Sequence, residues 1–242
     1  EASRAICYDN AISIDLSESH PDKSMREKFK LKADLLTPIS KSWSTDVGVE
    51  VASLGIQIHG GMGFVEETGV AQFFRDSRIA PIYEGTNGIQ AIDLVMRKLL
   101  ISDGEGLKNF MSEFDNTLSM CIKENNKDFQ LISKNFSDAF DSVSISTEKL
   151  SQRIKSNENY SALFVASDYL NLLGITAGAH YLIKGALSLK DHENRDFFES
   201  KKDMAIFFST QILPNTLGLS KSICSEIFEL ETKRIDNILG GF

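Results

Sequence analysis

Cysteine, proline, histidine and tryptophan are all scarce in this chain. Three cysteines (Cys7, Cys121, Cys224) lie far apart, each in a helical pattern, which speaks for reduced, half-buried thiols over a disulfide or metal framework. Four prolines among 242 residues leave long helices with few interruptions. His180 and His192 have no partner at metal-ligand spacing, so the first reads as a satisfied core histidine, the second as a surface one, and no metal site is expected. Basic clusters are missing as well. A net charge of −8, a pI near 5.1 and no basic patch interleaved with aromatics argue against a nucleic-acid binder. No apolar run reaches the roughly 18–20 residues that a membrane helix needs. The richest stretch, Ser161 to Leu189, carries Asp168, Asn171, His180 and Lys184, and reads as a buried helix. There is no signal peptide, which fits a cytoplasmic protein. Glu1 already falls inside a helical pattern, so the expectation is a piece of a longer protein.

What the chain has is helical periodicity almost throughout, and an all-α fold is predicted. Ala2, Ala5, Ile6, Ile12 and Leu16 recur at three- and four-residue spacing until His20-Pro21-Asp22 breaks the pattern. The next stretch runs from Met25 through Leu36, Ile39 and Trp43 to Leu54, with Pro38 either kinking it or starting a new helix capped by Thr37. A glycine-rich turn follows at Gly60 to Gly63, then a short helix from about Glu66 to Arg75. An extended or looped stretch, Ile79 to Tyr83, leads to a helix from about Gly88 to Leu100, with Asn87 and Gln90 spaced as N-cap and N3. Ser102 to Gly106 reads as a linker. Beyond it, apolar seams at Leu107–Cys121, Phe129–Ile154, Ser161–Leu189 and Phe197–Phe228, the last bent near Pro214, describe a second bundle whose phenylalanine stripe is core.

Chemistry is concentrated between Gln57 and Gln90. Gly60, Gly61 and Gly63 leave backbone amides bare and permit positive φ, so a phosphate could approach. The residues before them read as helix, so the strand-turn-helix context of a dinucleotide fingerprint is missing, and a plain helix-to-helix turn accounts for the cluster better. Glu84 follows the apolar stretch Ile79–Tyr83 and precedes a helix start. Partial desolvation there would raise its pKa towards that of a general base, while an acid complementing the helix dipole explains it about as well.

Three runs, Gln-Ile-His-Gly-Gly-Met-Gly-Phe (57–64), Arg-Asp-Ser-Arg-Ile (75–79) and Ile-Tyr-Glu-Gly-Thr-Asn-Gly-Ile-Gln (82–90), in this order and spacing, closely resemble the acyl-CoA dehydrogenase family. The resemblance covers residues 1–101. It implies the carboxy-terminal four-helix-bundle domain of that fold, truncated at its amino end. Residues 102–242 resemble the extra helical domain of a large bacterial branch that includes enzymes acting on 3-methylmercaptopropionyl-CoA. The resemblance also implies a reaction: Glu84 abstracts the pro-R α-proton of an acyl-CoA, the β-hydrogen leaves as hydride to FAD, and the trans-2-enoyl-CoA results. The backbone amide of Glu84 would polarise the thioester carbonyl, and Gly85 would line the substrate pocket. Thr86, Asn87 and Gly88 would contact the flavin nucleotide. Gln57, Ile58, His59, Gly60 and Gly61 would contact FAD bound mainly by a neighbouring subunit, implying a homo-oligomer, with electron-transfer flavoprotein as acceptor. Arg75 and Asp76 are expected to form a structural ion pair. Most flavin contacts of the family lie upstream, so this chain alone is expected to be inactive. Acyl-CoA oxidase and a non-enzymatic helical interaction module are the rival readings.

Overall fold

Helices make up nearly all the regular structure between residues 1 and 226, the part of the chain that the computed structural model describes, and no β-strand occurs among those residues. The break predicted at residues 20–22 separates α1 (Ala2–Ser19) from α2 (Lys23–His59). Asp22 is extended, and its carboxylate accepts from the amides of Ser24 (2.7 Å) and Met25 (3.5 Å), which caps α2. The turn sends α2 back along α1, as the pairs Asn10–Thr37 and Cys7–Ser44 show. Pro38 neither breaks α2 nor starts a helix there. The Thr37 hydroxyl donates back to the Ala33 carbonyl at 2.8 Å instead of capping. An interior proline costs about 3 kcal/mol, and burial of Pro38 beside Leu35, Leu36, Ile39 and Trp43 offsets it.

A four-residue turn of helix, α3 (Gly61–Phe64), and a 3₁₀ turn at Glu66–Thr68 lead to α4 (Val70–Ser77), so the helix predicted from about Glu66 is interrupted by Gly69 in the left-handed conformation. α5 (Asn87–Asp93) runs into one π-turn, Leu94–Lys98. At the linker the backbone turns through left-handed Ser102, Asp103 and Gly104. Then follow α6 (Glu105–Lys123) and α7 (Lys127–Lys155). The stretch predicted as one helix from Ser161 is two, α8 (Asn159–Phe164) and α9 (Ala166–Ser188), because buried Val165 leaves helical geometry at φ −101°, ψ 8°. α10 (Arg195–Phe207), a π-turn and α11 (Asn215–Cys224) complete the described chain, and the helical stretch is interrupted at Leu213–Pro214, where the bend was predicted. Ile227 and Phe228, the end of that predicted stretch, lie outside the described residues.

The core is continuous across the linker. Ile6, Leu36, Ile39 and Trp43 belong to the same apolar cluster as Phe110, Phe114, Phe136, Leu172 and Ile183. The phenylalanine stripe packs edge-on within it, Phe114 against Phe136 at 5.8 Å between centroids. Cys121 is buried and its thiol, donating to the Phe129 carbonyl, is pushed up to about 12, chiefly by burial; Cys7 is exposed, not half-buried.

A polar cluster sits inside this packing. Lys32 of α2 reaches Asp9 of α1 (2.7 Å) and Glu113 of α6 (2.9 Å), and Tyr181 of α9 donates to Asp9. Burial pushes Asp9 upwards, but hydrogen bonds from Lys32 and Tyr181 outweigh it and hold the carboxyl below its usual range. His180 is buried as predicted, yet only half satisfied: Nδ1 lies 3.1 Å from the Thr117 hydroxyl, while Nε2 has no hydrogen-bond partner among the described residues. Burial, helped by the charges of Lys184 and Lys32, lowers its pKa to about 3, so its 3.9 Å approach to Glu113 is not an ion pair near neutrality. An unfolded histidine titrates near 6.5. Below that pH the unfolded chain takes up a proton that the folded one refuses. Stability present above about 6.5 is therefore lost progressively as pH falls towards about 3. The urea midpoint should drop more between pH 7 and pH 4.5 in the wild type than in His180→Gln; parallel declines would remove His180 from the acid sensitivity.

Candidate active site

The loop between α4 and α5 is a run of tight turns rather than an extended strand. Ile82 and Tyr83 both donate to the Ile79 carbonyl (2.9 and 3.1 Å), and the Asn87 amide donates back to Pro81 (3.0 Å). Glu84 follows with φ 55° and Gly85 with φ 84°. Left-handed backbone costs a residue with a side chain about 1–2 kcal/mol, so the surroundings must hold Glu84 there. Gly85 adopts the same region freely, although a Cβ added to it would lie 3.1 Å from Gln90 Nε2.

Those surroundings are polar groups of α2. Lys41 Nζ donates to the Gly85 carbonyl at 2.7 Å and to Asn87 Oδ1 at 2.8 Å. The Asn87 side-chain amide donates to the Ser42 carbonyl (3.1 Å), Thr45 Oγ1 (3.0 Å) and Asp46 Oδ1 (2.7 Å). Asn87 is thus fastened to α2 and is not the N-cap. That place falls to Thr86, whose hydroxyl accepts from the Ile89 amide at 3.4 Å, while Gln90 Nε2 donates to the Glu84 carbonyl at 3.4 Å. Lys41 had no motif to mark it. The one signal was a polar row, Lys41, Ser42, Thr45 and Asp46, on a helix whose other face is Leu36, Ile39 and Trp43.

Glu84 is exposed, as are Ile82 and Tyr83. The covering expected from its apolar neighbours is therefore not met, because Ile82 and Tyr83 are themselves about half exposed. Thr86, Asn87 and Gly88 meet at an open groove of about 580 Å³, together with Asp46, Arg78 and Pro81. Gln57, Ile58, His59, Gly60 and Gly61 do not reach it. They are exposed at the far end of α2, seven residues beyond Glu50, the last α2 residue lining the groove, or about 10 Å of helix. In the neighbouring elements α2, α3 and α4, Ile58 (83%), Phe64 (79%) and Phe73 (73%) are large apolar side chains left exposed.

The glycines there divide by role. Gly60 turns at φ 60°, and open space surrounds it and Gly61. Gly63 is different: a Cβ would lie 2.4 Å from the Ile56 carbonyl oxygen, and its amide donates to Gly60 at 2.9 Å, so it serves the turn and not a ligand. His59 Nδ1 lies 2.9 Å from the Gly55 carbonyl. Arg75 pairs bidentately with Glu66 (2.9 and 2.8 Å) and not with Asp76, because neighbouring helical side chains point apart while Glu66 lies on the preceding turn.

Known proteins match this arrangement in two adjoining blocks. A profile described as acyl-CoA dehydrogenase, C-terminal domain, covers residues 1–100, and one described as acetyl-CoA dehydrogenase C-terminal like covers residues 110–227. A 3-methylmercaptopropionyl-CoA dehydrogenase of Ruegeria pomeroyi is 51% identical over 110 residues, 46% of this chain and 18% of that protein. A butyryl-CoA dehydrogenase of Syntrophomonas wolfei is 26% identical over 231 residues, 92% of this chain and 37% of that protein. This chain therefore spans well under half the length of either relative. Among solved structures, Caenorhabditis elegans ACDH-11 in complex with C11-CoA matches all of this chain and 38% of its own, at TM-score 0.75 and 18% identity. A Bacillus anthracis acyl-CoA dehydrogenase complexed with FAD matches 93% of this chain and 44% of its own, at TM-score 0.60 and 14% identity. Those two likenesses are of fold. In sequence, residues 1–100 and 110–227 are similar to the C-terminal domains of acyl-CoA dehydrogenases.

Proposed function

We propose that the chain is the carboxy-terminal part of an FAD-dependent enzyme that oxidises an acyl-CoA to the trans-2-enoyl-CoA, with Glu84 as the base. The placement of Glu84 carries this reading: a carboxylate standing in solvent from a left-handed turn that α2 holds in place, within the motif at 82–90. Its oxygen accepts the α-proton of the thioester, and the Cα electron pair forms the Cα–Cβ double bond. FAD, when bound, supplies the acceptor for the hydride that leaves Cβ. The Glu84 amide makes no hydrogen bond among the described residues and is free to donate to the thioester carbonyl, which would lower the α-proton's pKa. Gly85 would line the acyl pocket beside it.

The residues assigned to the cofactor fit it unequally. Gly60 and Gly61 present open backbone, with Gln57, Ile58 and His59 exposed beside them. The Asn87 side chain is already engaged inside the chain, so its part with Gly88 is to shape the groove wall, whereas the Thr86 hydroxyl accepts from Ile89 at 3.4 Å and keeps its O–H to donate. The distance between the two sets, and the exposed apolar side chains of Ile58, Phe64 and Phe73, support a homo-oligomer in which a neighbouring subunit's FAD meets Gln57–Gly61. Electron-transfer flavoprotein is the acceptor we favour, in the cytoplasm. We also propose a division into residues 1–101 and 102–242, supported by the first profile ending at residue 100 and the second beginning at 110, and by the left-handed turn at Ser102–Gly104.

In the longer protein, the bound flavin should bleach anaerobically on addition of acyl-CoA as enoyl-CoA appears in equal amount, and flavin that stays oxidised would remove the reading. Peroxide formed in air at the turnover rate would turn it to an oxidase. The 242-residue chain alone should lose FAD on gel filtration, and a stoichiometric yellow complex would overturn that expectation.

A further inference from the structure

Lys41 lies on α2, 44 residues before Gly85 in sequence, yet two of its three ammonium donors are committed to the loop that carries Glu84. The contacts close a ring. Nζ ties the Gly85 carbonyl to the Asn87 side chain, and Asn87 is itself fastened to α2 at Ser42, Thr45 and Asp46. Apart from backbone bonds within the loop, the other side-chain hold on this turn is the 3.4 Å bond from Gln90 to the Glu84 carbonyl. Burial lowers the Lys41 pKa, while the charges of Asp46 and Glu84 act the other way, so the ammonium stands among acids of both the helix and the loop. A lysine serving only solubility would extend into water and hold neither partner.

We propose that Lys41 is a positioning residue for Glu84: it clamps the Gly85 carbonyl to Asn87 on the flank of α2 and so fixes the left-handed turn that presents the carboxylate to the substrate. This rests on the reading of Glu84 as the base. A carboxylate displaced by an ångström loses reach to the α-proton without losing the substrate, and such misplacement costs on the order of a hundredfold in rate.

The test uses the full-length, flavin-loaded protein, with turnover counted per bound flavin on protiated and α-deuterated acyl-CoA. Lys41→Met should lower kcat about ten- to a hundredfold, leave KM within about threefold and raise the α-deuterium isotope effect. Lys41→Arg, which keeps charge and donors, should recover most of the loss. A role confined to folding would reduce flavin content or melting temperature and leave the per-flavin rate and the isotope effect unmoved. Should Lys41→Met hold no flavin, Lys41→Gln is read by the same two measurements. A per-flavin kcat within about twofold of wild type with an unchanged isotope effect overturns the proposal. If Glu84→Gln also turns over normally, the reading of Glu84 has failed. If Glu84→Gln is inactive beside a wild-type Lys41→Met, only the positioning role falls.

Discussion

Glu84→Gln is expected to lower turnover of the flavin-loaded, full-length protein about a thousandfold, the middle of the range for losing a general base, while leaving flavin bound. Glutamine matches glutamate in shape and cannot accept the α-proton. The turn should survive the change, because its anchors are main-chain: Lys41 holds the Gly85 carbonyl and Gln90 holds the Glu84 carbonyl. The left-handed backbone at position 84 is as costly for glutamine as for glutamate, so the substitution adds no strain. The loss should therefore fall on kcat. Rapid-mixing measurement of flavin reduction checks it, and an unchanged reduction rate would dispose of Glu84 as the base.

Gly174→Ala should cost about 2 kcal/mol or more of stability, although alanine is the better helix former by about 1 kcal/mol. A Cβ at Gly174 would lie 2.5 Å from Trp43 Cγ and 2.7 Å from Cδ1, and one at Gly178, a turn further along α9, 2.9 Å from Cη2. Trp43 is 6% exposed and cannot step aside into solvent. Either the indole leaves its rotamer or α9 moves off α2, and both loosen the core. Gly185 is the control on the same helix, since a Cβ there meets open space, and Gly185→Ala should raise stability by about 0.5–1 kcal/mol. Urea midpoints of the two variants should move in opposite directions. If both move upward, close packing of α9 on Trp43 is not what the glycine serves.

Period revealed where most helices lie, because α6 and α7 each bury one stripe, while α9, buried on all faces from Leu172 to His180, showed as an apolar run. It failed where a distant partner decides. Pro38 obeys no local rule: α2 passes through it because Pro38 and its neighbours are buried. Asn87 has the spacing of a cap, but Lys41, Ser42, Thr45 and Asp46 claim its side chain and leave capping to Thr86. Arg75 finds Glu66 nine residues back rather than the acid beside it. At the site, the ordered motifs picked out Glu84 and the two groups around it. They could not show that Ile82 and Tyr83 are about half exposed beside an exposed Glu84, nor that Lys41 stands beneath the loop. Such facts depend on which helix lies opposite, and neighbouring residues carry no record of it.

Trp43 is the chain's single tryptophan. It lies wedged between α2 and the small-residue face of α9, and only two positions along α2 from the lysine that grips the loop. All indole fluorescence of the chain therefore arises from one place, in the seam where its amino-terminal and carboxy-terminal helices meet. Opening that seam would redden the emission as water reaches the ring. A flavin brought nearby in a complete enzyme would absorb in the range where indole emits and dim it. The same native fluorophore thus reports on folding and on cofactor docking with no label added.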